Sequence, residues 1–227
     1  MGGVLQLPDA SGARTTPVRP ALPGELRIWV ASPAQPRPCL LADLVWRVAE
    51  RHHLRPSVSQ PAAAGWDALN IYPADVAPSP PEPLDVAVAR AGELAGSPVH
   101  RIVPGETRPP VPDVTGVDPL ALRLALLQLP YRTTLTLGRD DLAAADTLLK
   151  HWRGWMQRWA LSPSKPMCAE YVADFLGALD GDLDTPAALR ALRGLAADEE
   201  IPHGSKFEAF AYLDRFLGLD LAREVGR

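Results

Sequence analysis

A chain of 227 residues, 47% of them apolar, has room for one large domain or two small ones around a buried core. Its net charge of −4, from 23 Lys and Arg against 27 Asp and Glu, argues against attachment to nucleic acid by bulk charge, which needs excess cations to displace counterions. Two cysteines, Cys39 and Cys168, are too few for a disulfide framework and form no close metal pair, so a reducing cytoplasm is the expected compartment.

The N-terminal stretch has no apolar core of a signal peptide. Met1-Gly2 invites a myristoylation reading, but Gln6 stands where Ser or Thr is wanted. No apolar run reaches the roughly 18 residues that a membrane span needs. Proline then divides the chain: 19 of the 25 lie before residue 113 and six after it. Proline lacks an N–H and blocks helix interiors, so the first half is expected to be loop-rich and the second helical.

Residues 1–23 read as a disordered tail. Glu25–Ala31 (ELRIWVA) reads as a strand, and Leu40–His52 as a helix with Leu40, Leu41, Leu44, Val45 and Val48 on one face. Ser57–Gln60 is a weaker strand, so the order β–α–β predicts a fragment of parallel sheet. Residues 61–83 read as loop, broken by a strand candidate in Ala68–Tyr72. Leu84–Leu94 reads as a short helix, Val99–Val103 as a strand, and residues 104–113 as a linker. Short strands and an open sheet edge would favour pairing with a second copy, which predicts a homodimer.

The second half predicts a helical bundle. Asp118 caps a helix with Pro119 at its first position, and Pro130 ends it. A second helix, Asp140–Ala160, carries the stripe Leu142, Ala145, Leu149, Trp152, Met156 and Trp159. A third, Met167–Leu179, aligns Tyr171, Val172, Phe175, Leu176 and Leu179. Asp184-Thr185-Pro186 starts a fourth. Ser205 with Glu208 reads as a capping box for a fifth, which aligns Phe207, Phe210, Leu213 and Leu217 and closes at Gly218. No internal repeat is present.

Few residues carry chemistry by themselves. Asp180-x-Asp182-x-Asp184 looks like the start of a calcium loop, but Thr185 and Ala191 stand where Gly and Glu are required, so helix-cap and loop roles are expected. His52-His53 ends a helix, where a cation is favoured. His100, His151 and His203 are isolated, and no Cys/His spacing suits zinc. In Lys150–Trp159 (KHWRGWMQRW), bases alternate with tryptophans. Core packing of the indoles is the main expectation; the competing one is weak RNA contact through Lys150, Arg153 and Arg158.

Three stretches in order resemble the cysteinyl-tRNA synthetases and their sister family, the cysteine ligase of mycothiol biosynthesis. Gly116-Val117-Asp118-Pro119-Leu120-Ala121-Leu122-Arg123-Leu124 is similar to the family pattern (G)-x-(D/E)-P-x-A-x-R-L, and Pro130-Tyr131-Arg132 to the HYR that follows. Gly181-Asp182-Leu183-Asp184-Thr185-Pro186-Ala187-Ala188-Leu189 is similar to DDLDTPxAL. The ending Leu213–Leu219 resembles the closing helix. Less closely, Arg27–Val30 and Ala42–Arg47 resemble the first strand and the helix behind the HIGH motif.

The resemblance implies a fold and withholds an activity. The HIGH slot falls on Ser32-Pro33-Ala34-Gln35, without a histidine. The family's zinc cysteine would fall near Ala31. The KMSKS position reads Glu106-Thr107-Arg108-Pro109-Pro110, without a lysine, and residues 61–115 are all that separate the two halves, where the family has a large catalytic insert. Class I activation relies on those cations to stabilise developing phosphate charge. Arg37 and Arg108 are the candidate substitutes, with solvated loop roles expected for both.

The expectation is therefore a shortened parallel α/β remnant of class I type over 24–112, followed by an all-α bundle over 113–227. Its function would be that of a catalytically degenerate paralogue acting as a binding or regulatory module without a cofactor. Its partner would be RNA, a carrier protein or a full-length synthetase, and not a membrane. The alternative is an ATP-dependent cysteine ligase with substituted residues or a partner subunit; a decayed gene product is a third reading.

Overall fold

The computed structural model of the chain describes residues 3–90, 92–93 and 97–226. Among the described residues the first half is mostly short strands around one α-helix, and the second half is mostly helical. Strands β3 (Glu25–Val30), β4 (Arg55–Gln60), β5 (Asp75–Val76), β6 (Val86–Val88) and β7 (His100–Ile102) form one sheet, and every pairing in it is parallel. Their spatial order is β5-β4-β3-β6-β7. The chain thus winds outward one way from β3 and then the other way from β6. The strand order reverses between these two, and in such sheets ligands bind outside the carboxyl ends at that reversal.

Helix α1 (Pro36–Arg51) makes the crossover from β3 to β4. It begins four residues before the expected Leu40, because Pro36 and Pro38 fall in the first turn, where no N–H donor is needed. The bundle follows as α2 (Pro119–Leu127), α3 (Arg139–Trp159), α4 (Ala169–Asp180), α5 (Thr185–Ala197) and α6 (His203–Leu217). All six residues of the predicted α3 stripe are buried. The predicted caps form: Asp118 accepts the Leu120 N–H at 2.9 Å, and Asp184 accepts the Ala187 N–H at 3.0 Å. Gly218 closes α6 with φ of 63°, and a Cβ there would lie 2.9 Å from Arg123 Cζ, so both backbone and space select glycine.

Several expectations are corrected. Within 1–23 the described residues include β1 (Gln6–Pro8) and β2 (Thr15–Pro17), an antiparallel hairpin. It is ordered because Leu5 and Leu7 are fully buried and its backbone bridges both His100 and Gly181. In place of the Leu84–Leu94 helix the described residues hold strand β6, a wholly buried run without helical periodicity; Ala91 and Leu94 lie outside the described residues. Ala68–Tyr72 holds no strand: a 3-10 turn over Asp67–Leu69 ends at Asn70 in the left-handed region, and the extended segment comes at β5. The supposed linker contains β8 (Thr107–Arg108), parallel to β9 (Leu135–Thr136). Ser205 and Glu208 form no capping box: α6 starts earlier, at His203 after Pro202, and Glu208 accepts from Ser164 at 2.7 Å.

The sheet edges also differ from the expectation behind a homodimer. Beside β7 lies the N-terminal hairpin, and β5 is two residues long between Pro73 and Pro78, a short proline-flanked edge of the kind that resists further pairing.

One buried network joins sheet to bundle. Arg123 of α2, fully buried, donates to Asp43 of α1 at 2.6 Å, to the carbonyls of Leu69 and Asn70 at 3.0 and 3.1 Å, and to that of Leu217. Arg47 donates to the same Asp43 oxygen at 2.8 Å and to the carbonyl of Arg215 at 2.8 Å.

Asp43→Ala strands two guanidiniums in the interior and is expected to lower unfolding free energy by about 3–5 kcal/mol in a urea titration; a loss near zero would remove the network from its structural role. Leu7→Ala is expected to cost about 2–5 kcal/mol in the same titration, whereas an unchanged midpoint would restore the disordered-tail reading.

Candidate functional site

The reversal point sits where β3 and β6 end. From β3 the chain passes through Ala31–Gln35 into α1, and from β6 it passes to Ala89 and Arg90. The HIGH slot of the resemblance lies in that first turn. Pro33 is buried there, and its carbonyl accepts the Trp66 indole N–H at 2.9 Å. The Gln35 carboxamide accepts from the Arg90 guanidinium, and the Arg90 carbonyl accepts from Arg101 at 2.8 Å.

Beside this turn lies a cleft of about 220 Å³, floored by β3, β4 and α1 and roofed by the loop that carries Trp66. Val30, Ala42, Val58 and Ile71 supply apolar wall, while Gln60 and Cys39 bring polar atoms. Asp43 borders the cleft with both oxygens engaged: Oδ1 accepts the Tyr72 N–H at 3.0 Å and Oδ2 accepts from Arg47 and Arg123. Among the described residues no Lys, Arg or His lines it, and Asp67 is the other charged residue on its wall. The Cys39 thiol is buried and donates to the Pro33 carbonyl at 3.5 Å. Burial pushes its pKa up to about 12, so the reactive thiolate is absent near neutrality. Sequence periodicity could not find this cleft, because the Trp66 loop carries no helical or strand pattern.

The residues singled out beforehand have other employment. Arg37 is no solvated loop residue: it is buried in the first turn of α1 and donates to the carbonyls of Thr133, Pro130 and Gly105 at 2.6, 2.9 and 3.2 Å. Burial lowers its pKa to about 10. Arg108 is exposed and pairs with Glu106 at 2.7 Å. Asp180 takes Arg51 at 2.8 Å and His52 at 2.7 Å, Asp182 takes Tyr131 at 2.7 Å and also Arg132, and Asp184 caps α5. These acids therefore act as loop and cap groups. Among the described residues no three His, Cys, Asp or Glu side chains converge as a metal ion would require.

Of the RNA candidates, Lys150 is largely exposed and pairs with Asp146 at 2.6 Å, and Arg158 is exposed. Arg153, by contrast, is buried: it donates to Asp118 at 2.7 Å and to the carbonyls of Leu219 and Asp220 at 2.9 and 3.0 Å. The three do not share one accessible face. Trp152 and Trp159 are core, while Trp155 stacks on Trp159 at the bundle surface with centroids 5.6 Å apart. His151 packs edge-on to Trp155, and His203 lies beside Trp159. Buried His100 faces the Pro8 carbonyl at 3.2 Å.

A parallel sheet whose strand order reverses at β3 and β6, joined to a helical bundle and with a cleft at the carboxyl ends of β3 and β4, defines an α/β protein with a helical second half. Sequence comparison carries the relation further. The chain is 40% identical over 111 residues to the L-cysteine:1D-myo-inositol 2-amino-2-deoxy-alpha-D-glucopyranoside ligase of Gordonia bronchialis, covering 47% of this chain and 26% of that one. The protein of the same name from Streptomyces griseus subsp. griseus is 40% identical over 90 residues, and that of Thermomonospora curvata 33% over 111. These spans cover 40% and 47% of this chain, and 21% and 26% of those proteins. Over the matched stretch the chain is a relative of these cysteine ligases, as the motifs implied, and it spans about a quarter of their length. No family model matches the chain.

Burial of Cys39 generates a direct check. In the folded protein iodoacetamide is expected to modify Cys168 alone at pH 8, and both cysteines once urea unfolds the chain. Rapid labelling of Cys39 in the native state would contradict its buried, protonated placement.

Proposed function

We infer that this chain is a non-catalytic relative of the cysteine ligases that acts as a binding module, with the cleft under Trp66 as its binding site. One observation carries the reading: where the class I site needs cations for a transferring phosphate, the chain presents Ser32-Pro33-Ala34-Gln35 and a cleft bordered by carboxylates. A triphosphate brought there would meet Asp67 without a lysine or histidine beside it. Arg37, the first candidate substitute, is turned inward and held by three carbonyls.

The related stretches are consistent with shared architecture in place of shared chemistry. Asp118 and Arg123 of the first motif, Tyr131 of the second and Asp182 and Thr185 of the third all serve packing and capping. Tyr131 donates to Asp182, and Thr185 donates to the Leu127 carbonyl at 2.7 Å, so the motifs hold one another.

The alternative of an ATP-dependent cysteine ligase rests on Arg90, a guanidinium beside the HIGH slot. RNA as a partner would have to use Lys150 and Arg158 without Arg153; a carrier protein or a full-length synthetase would use other surface. Among the described residues no helix is long and apolar enough to cross a membrane. The free cysteines fit a reducing compartment, and a cytoplasmic setting is part of this proposal.

The decisive assay is cysteine-dependent ATP–pyrophosphate exchange, with a full-length cysteine ligase as positive control. The expected result is no exchange above the enzyme-free blank, with or without a tRNA or amino-sugar acceptor. Exchange that disappears in Arg90→Ala would establish the ligase reading instead.

A further inference from the structure

We propose that the cleft beneath Trp66 binds a small uncharged molecule with a compact apolar body and an amide-like hydrogen-bonding edge, which Gln60 recognises. The inference deepens the binding-module reading of the same cleft and rests on it. Size comes first. An engineered apolar cavity of about 150 Å³ holds benzene, so 220 Å³ corresponds to about nine heavy atoms on that scale. This is far below a nucleoside triphosphate, and it selects a fragment-sized ligand.

Polarity comes next. Gln60 ends β4 with 5% of its surface exposed, and it lines the cleft. Its backbone carbonyl accepts from Ala77 at 2.9 Å, and its carboxamide borders the cleft, where solvent reaches it. A primary amide that faces a cleft offers a ligand two donors and an acceptor. A ligand edge that presents both a carbonyl and an N–H satisfies it on both sides. The remaining walls, Val30, Ala42, Val58 and Ile71, complement an apolar body.

Charge then narrows the class. An anion would enter without a cation and against Asp67. A cation would find Asp43 already neutralised by Arg47 and Arg123, and Asp67 exposed to water at the mouth. Either ion would lose hydration without a buried counter-charge, which leaves neutral ligands. The Cys39 thiol stays protonated, so binding is reversible and not covalent. The Trp66–Pro33 hydrogen bond latches the roof to the turn before α1, which gives the cleft a preformed shape.

Benzamide, benzoate and benzamidine share size and shape and differ in charge, which makes them the probes. Titrated into the full chain by calorimetry and ligand-observed NMR, benzamide is expected to bind with a millimolar or tighter Kd. Benzoate and benzamidine are expected to bind at least about tenfold more weakly. Gln60→Leu, similar in volume, is expected to weaken benzamide about tenfold. Ala42→Leu fills the cleft and is expected to abolish binding, with circular dichroism checking its fold; should it fail to fold, Gln60→Leu decides alone. Equal binding of the three probes, benzamide affinity unchanged in Gln60→Leu, or no benzamide binding would each overturn the proposal. The two readings fail separately: exchange activity in a protein that binds benzamide sinks only the non-catalytic reading, and a blank exchange without benzamide binding sinks only this one.

Discussion

Burial of the Arg123 guanidinium constrains much of the rest of the molecule. A cation with no contact to water must find an anion and fill its remaining donors, or the fold that holds it is lost. Here Asp43 provides the charge, and carbonyls from the 3-10 turn and the end of α6 take the other N–H groups. Those partners come from α1, from the loop before β5 and from the last helix, so one side chain fastens the sheet layer to the bundle at three places. Asp214 works at the same junction, accepting the N–H groups of Leu219 and Leu221 at 2.8 Å each. Burial raises its pKa while those donors and Arg123 oppose the rise.

The same network shapes the candidate site. Asp43 sits between Arg123 and the cleft, and its second oxygen holds Tyr72 in the cleft wall. A residue that might have offered negative charge to a ligand is thus saturated by structural partners. The cleft is left apolar apart from Gln60, the protonated Cys39 thiol and the exposed Asp67. Scaffold and specificity are coupled there through a single carboxylate.

The motifs that relate this chain to cysteine ligases mark joints of the bundle. Asp118 caps α2 and also receives Arg153 and Arg223 at 2.7 and 2.6 Å. Tyr131 and Thr185 tie the end of α2 to the start of α5. Such residues follow architecture, so a similarity in sequence can persist wherever the bundle does. At the HIGH slot, by contrast, the turn has been recruited to hold the Trp66 loop through Pro33.

Local patterns were legible in the sequence wherever the physics was local. The α3 stripe and the Asp118 and Asp184 caps rest on spacing within a few residues, so the sequence alone revealed them; the β3–α1–β4 crossover was legible from the order of its elements, although its pairing joins Glu25 to Arg55. The motif resemblance also pointed to the bundle from its residues. The N-terminal hairpin, β6 and the cleft were not legible, because their order comes from partners far along the chain: Leu7 is buried against residues well beyond its own hairpin, and the Trp66 roof closes on Pro33. Arginine burial was hidden for the same reason. Sequence marks Arg37, Arg123 and Arg153 only as cations, and whether a cation meets water or three carbonyls is decided by the tertiary packing that brings those carbonyls together.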